Sequence, residues 1–243
     1  MKNPPEIWDT RYADDAHNAR VTPDPWLERW PEFFRGKKLK VLDIGCGLGF
    51  DTETLLAWGH EVTAIDISAQ ALALSRRRNP AARHVLMDVR DILFATAPQF
   101  DAVVANLSLH YFTQNETKKI FRALFSLLQP EGVLVFRVNA ADDLAYGATA
   151  AAGEGWECVT VGGVAKQFFS AEKITTSLEG VATEREVRKI TTDRFGKPKS
   201  LFEVVACKQP QAEPDGARRA EYERHTGPGS DPFASLPRLL VQK

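Results

Sequence analysis

Three glycines and an aspartate stand close together near residue 45, in a pattern that could bind a nucleotide cofactor. Asp43 ends a short apolar stretch, and Gly45, Gly47 and Gly49 follow at alternate positions. Because glycine has no Cβ, such a loop can turn sharply and let a ligand lie against the backbone. The dinucleotide fingerprint has the different spacing G-x-G-x-x-G. An acid two residues before the first glycine would repel a pyrophosphate but could hold an ammonium group.

Two more acids follow short apolar stretches further along the chain. Residues 61–66 end in Asp66, and residues 83–88 end in Asp88. In nucleotide-binding α/β folds, an acid at the end of the second strand binds the ribose, because a carboxylate can accept from two adjacent hydroxyl donors. The sequence therefore predicts a ribose site at Asp66, and Ile67 behind it could cover one face of an adenine.

The string Asp-Ile-Gly-Cys-Gly-Leu-Gly at 43–49 resembles motif I of the class I S-adenosylmethionine (SAM) methyltransferases. The resemblance covers roughly residues 39–208, and it implies SAM as cofactor and S-adenosylhomocysteine (SAH) as product. The resemblance also assigns residues to each part of the cofactor. The methionine end is held by Asp43, Gly45, Cys46 and Gly47, and its amine is met by the backbone at Asn106 or Leu107. The ribose and adenine are held by Asp66 and Ile67, and the adenine also by Asp88 and Val89.

Two weaker similarities concern the type of methyltransferase. The opening Ile-Trp-Asp-Thr-Arg-Tyr at 7–12 is similar to the start of tellurite-resistance and thiopurine methyltransferases. The phrase R-V-N-x-x-x-D-x-x-Y-G-A from residue 137, with K-x-F-F from residue 166, also resembles the tellurite type. This resemblance implies a small-molecule acceptor, with a thiol or chalcogen as one possibility.

The candidate catalytic residues are His110 and Tyr111, just past the predicted fourth strand. Methyl transfer is an in-line displacement on a sulfonium, so an enzyme mainly aligns the nucleophile and excludes water. A thiolate or chalcogenide needs no general base, whereas an oxygen or nitrogen nucleophile usually does. We interpret His110 as a base or a polar anchor for the acceptor; the alternative is a hydrogen-bonded histidine that shapes the pocket.

Three residues are candidates for acceptor binding: Arg137, Asn139 and Phe169. The first two end the predicted fifth strand, and open α/β sheets bind ligands at the carboxyl ends of their strands. Arg137 could hold a carboxylate or oxyanion, or it could form a salt bridge with Asp142 or Asp143. Phe169 could line the pocket or be a core aromatic residue.

Composition argues against several other classes of protein. The formal net charge of −1 gives no field that attracts nucleic acid or an anionic membrane. Asn106-Leu-Ser also lacks the Asn-Pro-Pro-Tyr pattern with which DNA methyltransferases clamp a flipped base. The absence of an 18-residue apolar run and of an apolar leader predicts a cytoplasmic protein. The three cysteines lack metal-ligand spacing, so we expect no metal. The sequence does not determine the oligomeric state.

Strands and amphipathic helices alternate along most of the chain. This alternation predicts an α/β fold with a doubly wound, mostly parallel sheet and helices on both faces. Ser68 and Ser170 are good N-cap residues for helices that follow them. Stretches 181–191 and 200–207 predict a closing hairpin. The family resemblance adds a seven-stranded sheet in the order 3-2-1-4-5-7-6, with the last pair formed by that hairpin.

We expect three parts in the chain. Residues 37–208 form the SAM-binding core, with 140–169 as a substrate-site insert. Residues 1–36 lie outside this core as an aromatic-rich helical cap over the cofactor site. Residues 209–243, rich in Pro, Gly and mixed charge, have the composition of a disordered tail.

Two alternative functions stay open beside methyl transfer. One is a nicotinamide-dependent oxidoreductase, against which the glycine spacing and Asp43 both argue. The other is a non-catalytic SAM-binding sensor, which would keep the cofactor acids without turning over an acceptor.

Overall fold

The computed structural model describes residues 4–94, 100–149, 158–193 and 196–208. The strands are β1 Lys40–Ile44, β2 Glu61–Asp66, β3 Arg83–Leu86, β4 Phe100–Asn106, β5 Leu128–Asn139, β6 Val159–Val161, β7 Val164–Lys166, β8 Ala182–Thr192 and β9 Lys199–Lys208. The α-helices are α1 Pro4–Tyr12, α2 Asp15–Asn18, α3 Pro31–Phe34, α4 Phe50–Ala57, α5 Ala69–Arg78, α6 Gln114–Leu127 and α7 Ala171–Leu178. Short 3-10 helices span Trp26–Arg29, Val89–Phe94 and Leu144–Tyr146.

The main sheet has seven strands in the order β3-β2-β1-β4-β5-β9-β8. The first five strands run parallel, and β9 joins β5 and β8 in antiparallel pairs. The predicted α/β fold is confirmed. The predicted order differs only in detail, because a separate two-stranded hairpin, β6–β7, precedes the closing hairpin and shifts its numbering.

Helix starts follow the local chemistry of the sequence. The Ser68 hydroxyl accepts from the Ala71 amide at the start of α5, and the Ser170 hydroxyl accepts from the Lys173 amide at the start of α7. Each cap satisfies an amide that has no partner within its helix. Both predicted caps are therefore confirmed. These caps fix where α5 and α7 begin, directly after the loops that end β2 and follow β7.

A layer of apolar side chains covers each face of the main sheet. One layer packs α6 and α7 against the sheet through residues such as Phe121, Leu124 and Phe136. The other contains Trp26 and Trp30, both with no exposed surface, packed with Val41 and Val135. The expectation that residues 1–36 lie outside the core was therefore wrong for 26–34. The apolar face of β1, β4 and β5 needs a cover, and these aromatic residues supply it.

Some predicted features fall outside the part of the chain that the structure describes. Residues 150–157 of the insert and the whole 209–243 segment lie there. Within the described ranges, no helix has the length and apolar character needed to cross a membrane. The same ranges contain no group of three or more His, Cys, Asp or Glu side chains arranged to hold a metal ion.

Candidate cofactor and acceptor site

The glycine loop between β1 and α4 can be built only with glycines at its first two positions. Gly45 has φ +67° and Gly47 has φ +53°, both in the left-handed region. A Cβ on Gly45 would lie 2.6 Å from Cβ of Ser108, and one on Gly47 would lie 2.7 Å from Oη of Tyr12. Side chains at these positions would therefore displace the loop after β4 and helix α1.

Asp66, at the end of β2, joins this loop to the next helix. Its two carboxylate oxygens accept from the Gly47 amide and the Ser68 amide, each at 2.9 Å. The side chain is almost fully buried, and burial raises the pKa of Asp66 to about 6. Each carboxylate oxygen has a second acceptor site, so Asp66 can still accept from two ribose hydroxyls.

Asp43, the acid before the glycines, is buried beneath the loop. Its Oδ2 accepts from Oγ1 of Thr52 at 2.5 Å. Burial, together with the negative charge of Asp51, raises the pKa of Asp43 to about 8. Burial also raises the pKa of the Cys46 thiol, which packs with Ala64 and Leu72. Cys46 thus behaves as a small apolar residue within the loop.

Asp51 belongs to this site, although sequence reasoning missed it. Its carboxylate accepts from Nε1 of Trp26 and from Nδ2 of Asn106, both at 2.8 Å. The residue lies in the first turn of α4, where an acid is ordinary because it complements the helix dipole. Its contacts connect segments that are far apart along the chain, so no local signal indicated the role.

The predicted adenine residues lie at the end of β3 and just after β2. Asp88 is held by Arg90, whose Nε lies 2.9 Å from Oδ2. Val89 is buried in the core layer that contains α6, and Ile67 is half-buried. These three residues follow neighbouring parallel strands at the same edge of the sheet. Their contact with adenine stays a prediction.

At the end of β4 the backbone turns sharply. Leu107 has φ +57°, which is unusual for a residue with a side chain, and its amide donates to the Arg137 carbonyl at 3.1 Å. The neighbouring Asn106 donates to Asp51, but its Oδ1 is buried without a partner among the described residues. Strain and an unsatisfied acceptor at one point are typical of a functional site.

His110 and Tyr111 follow this turn, and their rings lie 4.2 Å apart. His110 is 2% exposed, and its Nδ1 finds no hydrogen-bond partner among the described residues. Burial and the positive charges of Lys199 and Lys166 hold the pKa of His110 well below its usual range. Burial raises the pKa of Tyr111 to about 12. At neutral pH the site therefore contains an uncharged imidazole beside an uncharged phenol.

Arg137, on β5, is completely buried and paired. Its Nη1 donates to Oδ2 of Asp24 at 2.6 Å, and its Nε lies 3.3 Å from Oε1 of Glu203. The suggested salt bridge with Asp142 or Asp143 is wrong, because those acids pair with Lys189 and Lys199 respectively. Glu203 also pairs with Arg29. The role of Arg137 as an acceptor anchor stays a prediction.

Asn139 and Phe169 meet through their backbones, with the Phe169 amide donating to the Asn139 carbonyl at 2.9 Å. Asn139 is 1% exposed, and neither polar atom of its side chain has a partner among the described residues. Phe169 is fully buried in the same apolar layer as α6. With no exposed surface on that ring, a contact with substrate stays a prediction.

Helix α1 lies against the loops that end β1 and β2. Oδ1 of Asp9 accepts from the Ser68 hydroxyl at 2.6 Å and from the Gln70 amide at 3.1 Å. Tyr12 approaches Gly47, and burial together with the charge of Asp66 raises the pKa of its phenol. The helix thus contacts both the glycine loop and the turn after Asp66.

Part of the chain is similar in sequence to known methyltransferases. Residues 41–132 match the family model described as "Methyltransferase domain". A malonyl-[acyl-carrier protein] O-methyltransferase of Enterobacter lignolyticus is 35% identical over 60% of this chain and 55% of its own length. A putative methyltransferase of Bacillus subtilis, YqeM, is 34% identical over 50% of this chain and 51% of its own length. The chain thus spans about half the length of these curated relatives.

A solved structure extends the likeness over most of the fold. The N-methyltransferase NodS of Bradyrhizobium japonicum, determined with SAH, superposes with a TM-score of 0.62 at 20% identity. The match covers 86% of this chain and all of that one. SAM is the cofactor of this fold, and the glycine loop and Asp66 fit it. Residues 41–132 are thus similar to a methyltransferase domain, and most of the chain shares the fold of a SAM-dependent methyltransferase.

Proposed function

We propose that the protein transfers the methyl group of SAM to a small-molecule acceptor. The observation that carries this proposal is the loop of Gly45 and Gly47 bonded to Asp66, within the segment that matches the methyltransferase model. When bound, the cofactor would supply the sulfonium methyl group. In our proposal the backbone of Gly45 and Gly47 lies against its methionine end, and Asp66 accepts from its ribose hydroxyls.

The acceptor would bind at the carboxyl ends of β4 and β5. His110 and Asn139 support this assignment, because both are buried with unsatisfied polar atoms. An uncharged His110 can accept a hydrogen bond or a proton from an acceptor at neutral pH. The raised pKa of Tyr111 leaves its hydroxyl protonated and able to donate. We propose that these two side chains orient the acceptor.

The proposed acceptor atom is sulfur or another chalcogen, oxygen or nitrogen. A thiol or chalcogen is compatible with the site, because its anion, a thiolate or chalcogenide, can attack without a general base. Relatives are named as O- and N-methyltransferases, among them the malonyl-[acyl-carrier protein] enzyme and NodS. Oxygen and nitrogen acceptors therefore belong in the same screen as thiols.

Helix α1 is proposed to cover the bound cofactor, and the insert 140–169 to cover the acceptor. The contacts of Asp9 and Tyr12 with the cofactor loops support the first assignment. The bond from the Gln167 amide to the His110 carbonyl, 2.7 Å long, supports the second. Both covers would exclude water from the methyl group, which displacement on a sulfonium favours.

The first test is calorimetric titration of the full chain with SAH, run beside NADH. We expect micromolar binding of SAH and no heat with NADH. Binding of NADH alone would instead support a nicotinamide-dependent oxidoreductase, which the comparisons do not favour. Silence with both ligands would refute the assigned cofactor.

Turnover separates an enzyme from a SAM-binding sensor. Incubation with methyl-labelled SAM and a panel of thiols, amines, phenols and carboxylic acids should label one acceptor class. The sensor alternative is favoured if SAH binds tightly but no compound becomes labelled, either in the panel or in a cell metabolite extract.

A further inference from the structure

Basic side chains from three separate segments gather around His110. Helix α1 brings Arg11, β7 brings Lys166, and β9 begins with Lys199. Burial, followed by the charges of Lys199 and Lys166, holds the pKa of His110 low. Burial, followed by the charges of Lys199 and Arg11, lowers the pKa of Lys166, while the charge of Asp143 raises it. Charges affect one another in this way only when they lie near each other, so the three cations belong to one region.

Ring contacts and one backbone hydrogen bond connect Arg11 with His110 and with the end of β7, which carries Lys166. The Arg11 guanidinium lies 4.8 Å from the Trp8 ring centre, and the Trp8 and Tyr111 rings lie 5.1 Å apart. Tyr111 packs against His110. The His110 carbonyl accepts from the amide of Gln167, which directly follows Lys166. The path from α1 to β7 therefore passes through the two predicted catalytic residues.

Lys199 and Asn139 approach the same region from the sheet. Asn139 pairs with Leu201 across the β5–β9 ladder, and Lys199 is two residues from Leu201. Because side chains alternate along a strand, Asn139 and Lys199 point to the same face. Lys199 is 5% exposed, and its Nζ lies 3.2 Å from Oδ2 of Asp143.

The positive charge of this group is only partly neutralised. Asp143 is the carboxylate bound to Lys199, and its other oxygen accepts from the Ser200 amide at 3.1 Å. Lys166 is half-buried and has no carboxylate within 4.0 Å in the part of the chain that the structure describes. A half-buried ammonium without a carboxylate beside it can pair with the negative charge of a ligand.

Neutral hydrogen-bonding groups with no partner lie in the same region. His110 Nδ1 and both polar atoms of the Asn139 side chain are buried and unsatisfied among the described residues. Each such group forgoes about 1–3 kcal/mol, which a ligand with matching polar atoms would recover. Cations beside unsatisfied amide and imidazole groups are typical of sites that bind carboxylates or phosphates.

We propose that the methyl acceptor carries an anionic group, a carboxylate or a phosphate, that binds between Lys166 and Lys199 beside His110 and Asn139. This inference rests on the proposed methyltransferase function and narrows its acceptor class. The ammonium groups hold the anion, while His110 and Asn139 bind polar atoms on the rest of the molecule. A neutral acceptor of the same shape binds weakly there, because Lys166 stays unpaired.

The test uses the SAH-loaded full chain and three probes: malonate, inorganic phosphate and the neutral malonamide. Titrations follow the histidine ring signals by NMR, with the His110 signals identified by their loss in His110→Gln. We expect one or both anions to bind in the millimolar range and to move the His110 signals. Malonamide should leave those signals in place. Malonate alone would identify a carboxylate site, and phosphate alone a phosphate site.

Charge variants decide whether the cations of the site hold the anion. Lys166→Gln should weaken anion binding at least fivefold while SAH affinity stays within twofold. Lys189→Gln removes the same charge from an exposed residue paired with Asp142 and should change neither value. Three results would overturn the proposal. Malonamide could bind as tightly as the anions, neither anion could bind at concentrations up to about 50 mM, or Lys166→Gln could bind the anions as tightly as the unaltered chain. If the unaltered chain did not bind SAH at all, the proposed methyltransferase function itself would be refuted.

Discussion

The two halves of the site differ in how completely their polar groups are satisfied. In the half formed by β1 and β2, Asp43 and Asp66 bind Thr52 and backbone amides within a closed loop. In the half formed by β4 and β5, His110 and Asn139 are buried with unsatisfied atoms. The chain itself satisfies the polar groups of the first half, whereas the second half has buried polar atoms that a ligand could satisfy.

The same difference appears in their charge. Acids dominate the cofactor half, and burial raises the pKa of Asp43 and Asp66. In the acceptor half two lysines, Lys166 and Lys199, act on His110, and burial lowers the pKa of both. A cationic cofactor and an anionic acceptor would each meet the opposite charge, and the two ligands would be drawn to different halves.

The largest effect should come from adding one methyl group to the cofactor half. Gly45→Ala places its Cβ 2.6 Å from Cβ of Ser108, on a backbone with φ +67°. We expect SAH affinity to fall about 100-fold or more, which corresponds to at least ~2.7 kcal/mol. Calorimetry with SAH measures the loss.

Gly59→Ala is the matched control for that substitution. Gly59 also has positive φ, +90°, but a Cβ there would meet nothing within 4 Å. It should therefore cost only the left-handed strain, about 1–2 kcal/mol of unfolding free energy, with SAH affinity unchanged. Adding Ser108→Gly to Gly45→Ala should restore part of the affinity. If Gly45→Ala and Gly59→Ala lost the same SAH affinity, left-handed backbone strain, and not crowding against Ser108, would explain the loss.

A second prediction concerns the Asp66 carboxylate. Replacing Asp66 by Asn keeps its shape but removes a charged acceptor, so SAH binding should weaken by about 1.5–3 kcal/mol. The pKa of Asp66 in the cofactor-free protein is about 6, and only the ionised form offers all its acceptor sites. SAH affinity should therefore fall as the pH drops below 6, and Asp66→Asn should lack that fall.

Calorimetric titrations at pH 5, 6, 7 and 8 measure this difference. Glu61→Gln is the control, because Glu61 lies at the amino end of β2 and forms an exposed pair with Lys38. An Asp66→Asn protein that binds SAH as tightly as the unaltered chain would remove the ribose assignment.

The third prediction concerns the acceptor half. His110→Ala should lower kcat about tenfold, the loss of roughly one hydrogen bond in the aligned complex, while SAH affinity stays within twofold. Because burial and nearby lysines hold the pKa of His110 well below its usual range, the rate should not titrate with His110 between pH 6 and 9. Steady-state rates across that range, with an acceptor from the screen, measure both effects. A loss of SAH affinity with kcat unchanged would move His110 to the cofactor half.

The sequence predicted the cofactor half better than the acceptor half, because only the first depends on residues that are close together along the chain. Asp43, the glycines and Asp66 follow one another along consecutive strands and turns, so their spacing predicts their proximity. The acceptor half combines His110, Asn139 and Lys199, which only the sheet order and the β5–β9 register bring together. Nothing local marks Lys199 as different from other lysines. Trp26 shows the same limit, since it is buried by residues of β1, β4 and β5 that lie far from it in the sequence.

The last expected effect is on stability, and it concerns Asp43. Its pKa in the folded chain is raised to about 8, above its value in the unfolded chain, so folding favours the protonated form. This contribution is complete at low pH and is lost as the pH rises through 8. The unfolding free energy of the cofactor-free protein should fall between pH 6 and 8 by at most about 1.4 kcal/mol per pH unit.

Asp43→Asn should remove most of that slope, because an amide does not titrate yet still accepts from Thr52. Urea unfolding at pH 6, 7 and 8 measures it. In Glu61→Gln the slope should persist, since Lys38 lowers the pKa of Glu61 and that contribution changes only in the acid range. An equal slope in Asp43→Asn would show that the titration of Asp43 does not cause it, and that Asp43 keeps one charge state between pH 6 and 8.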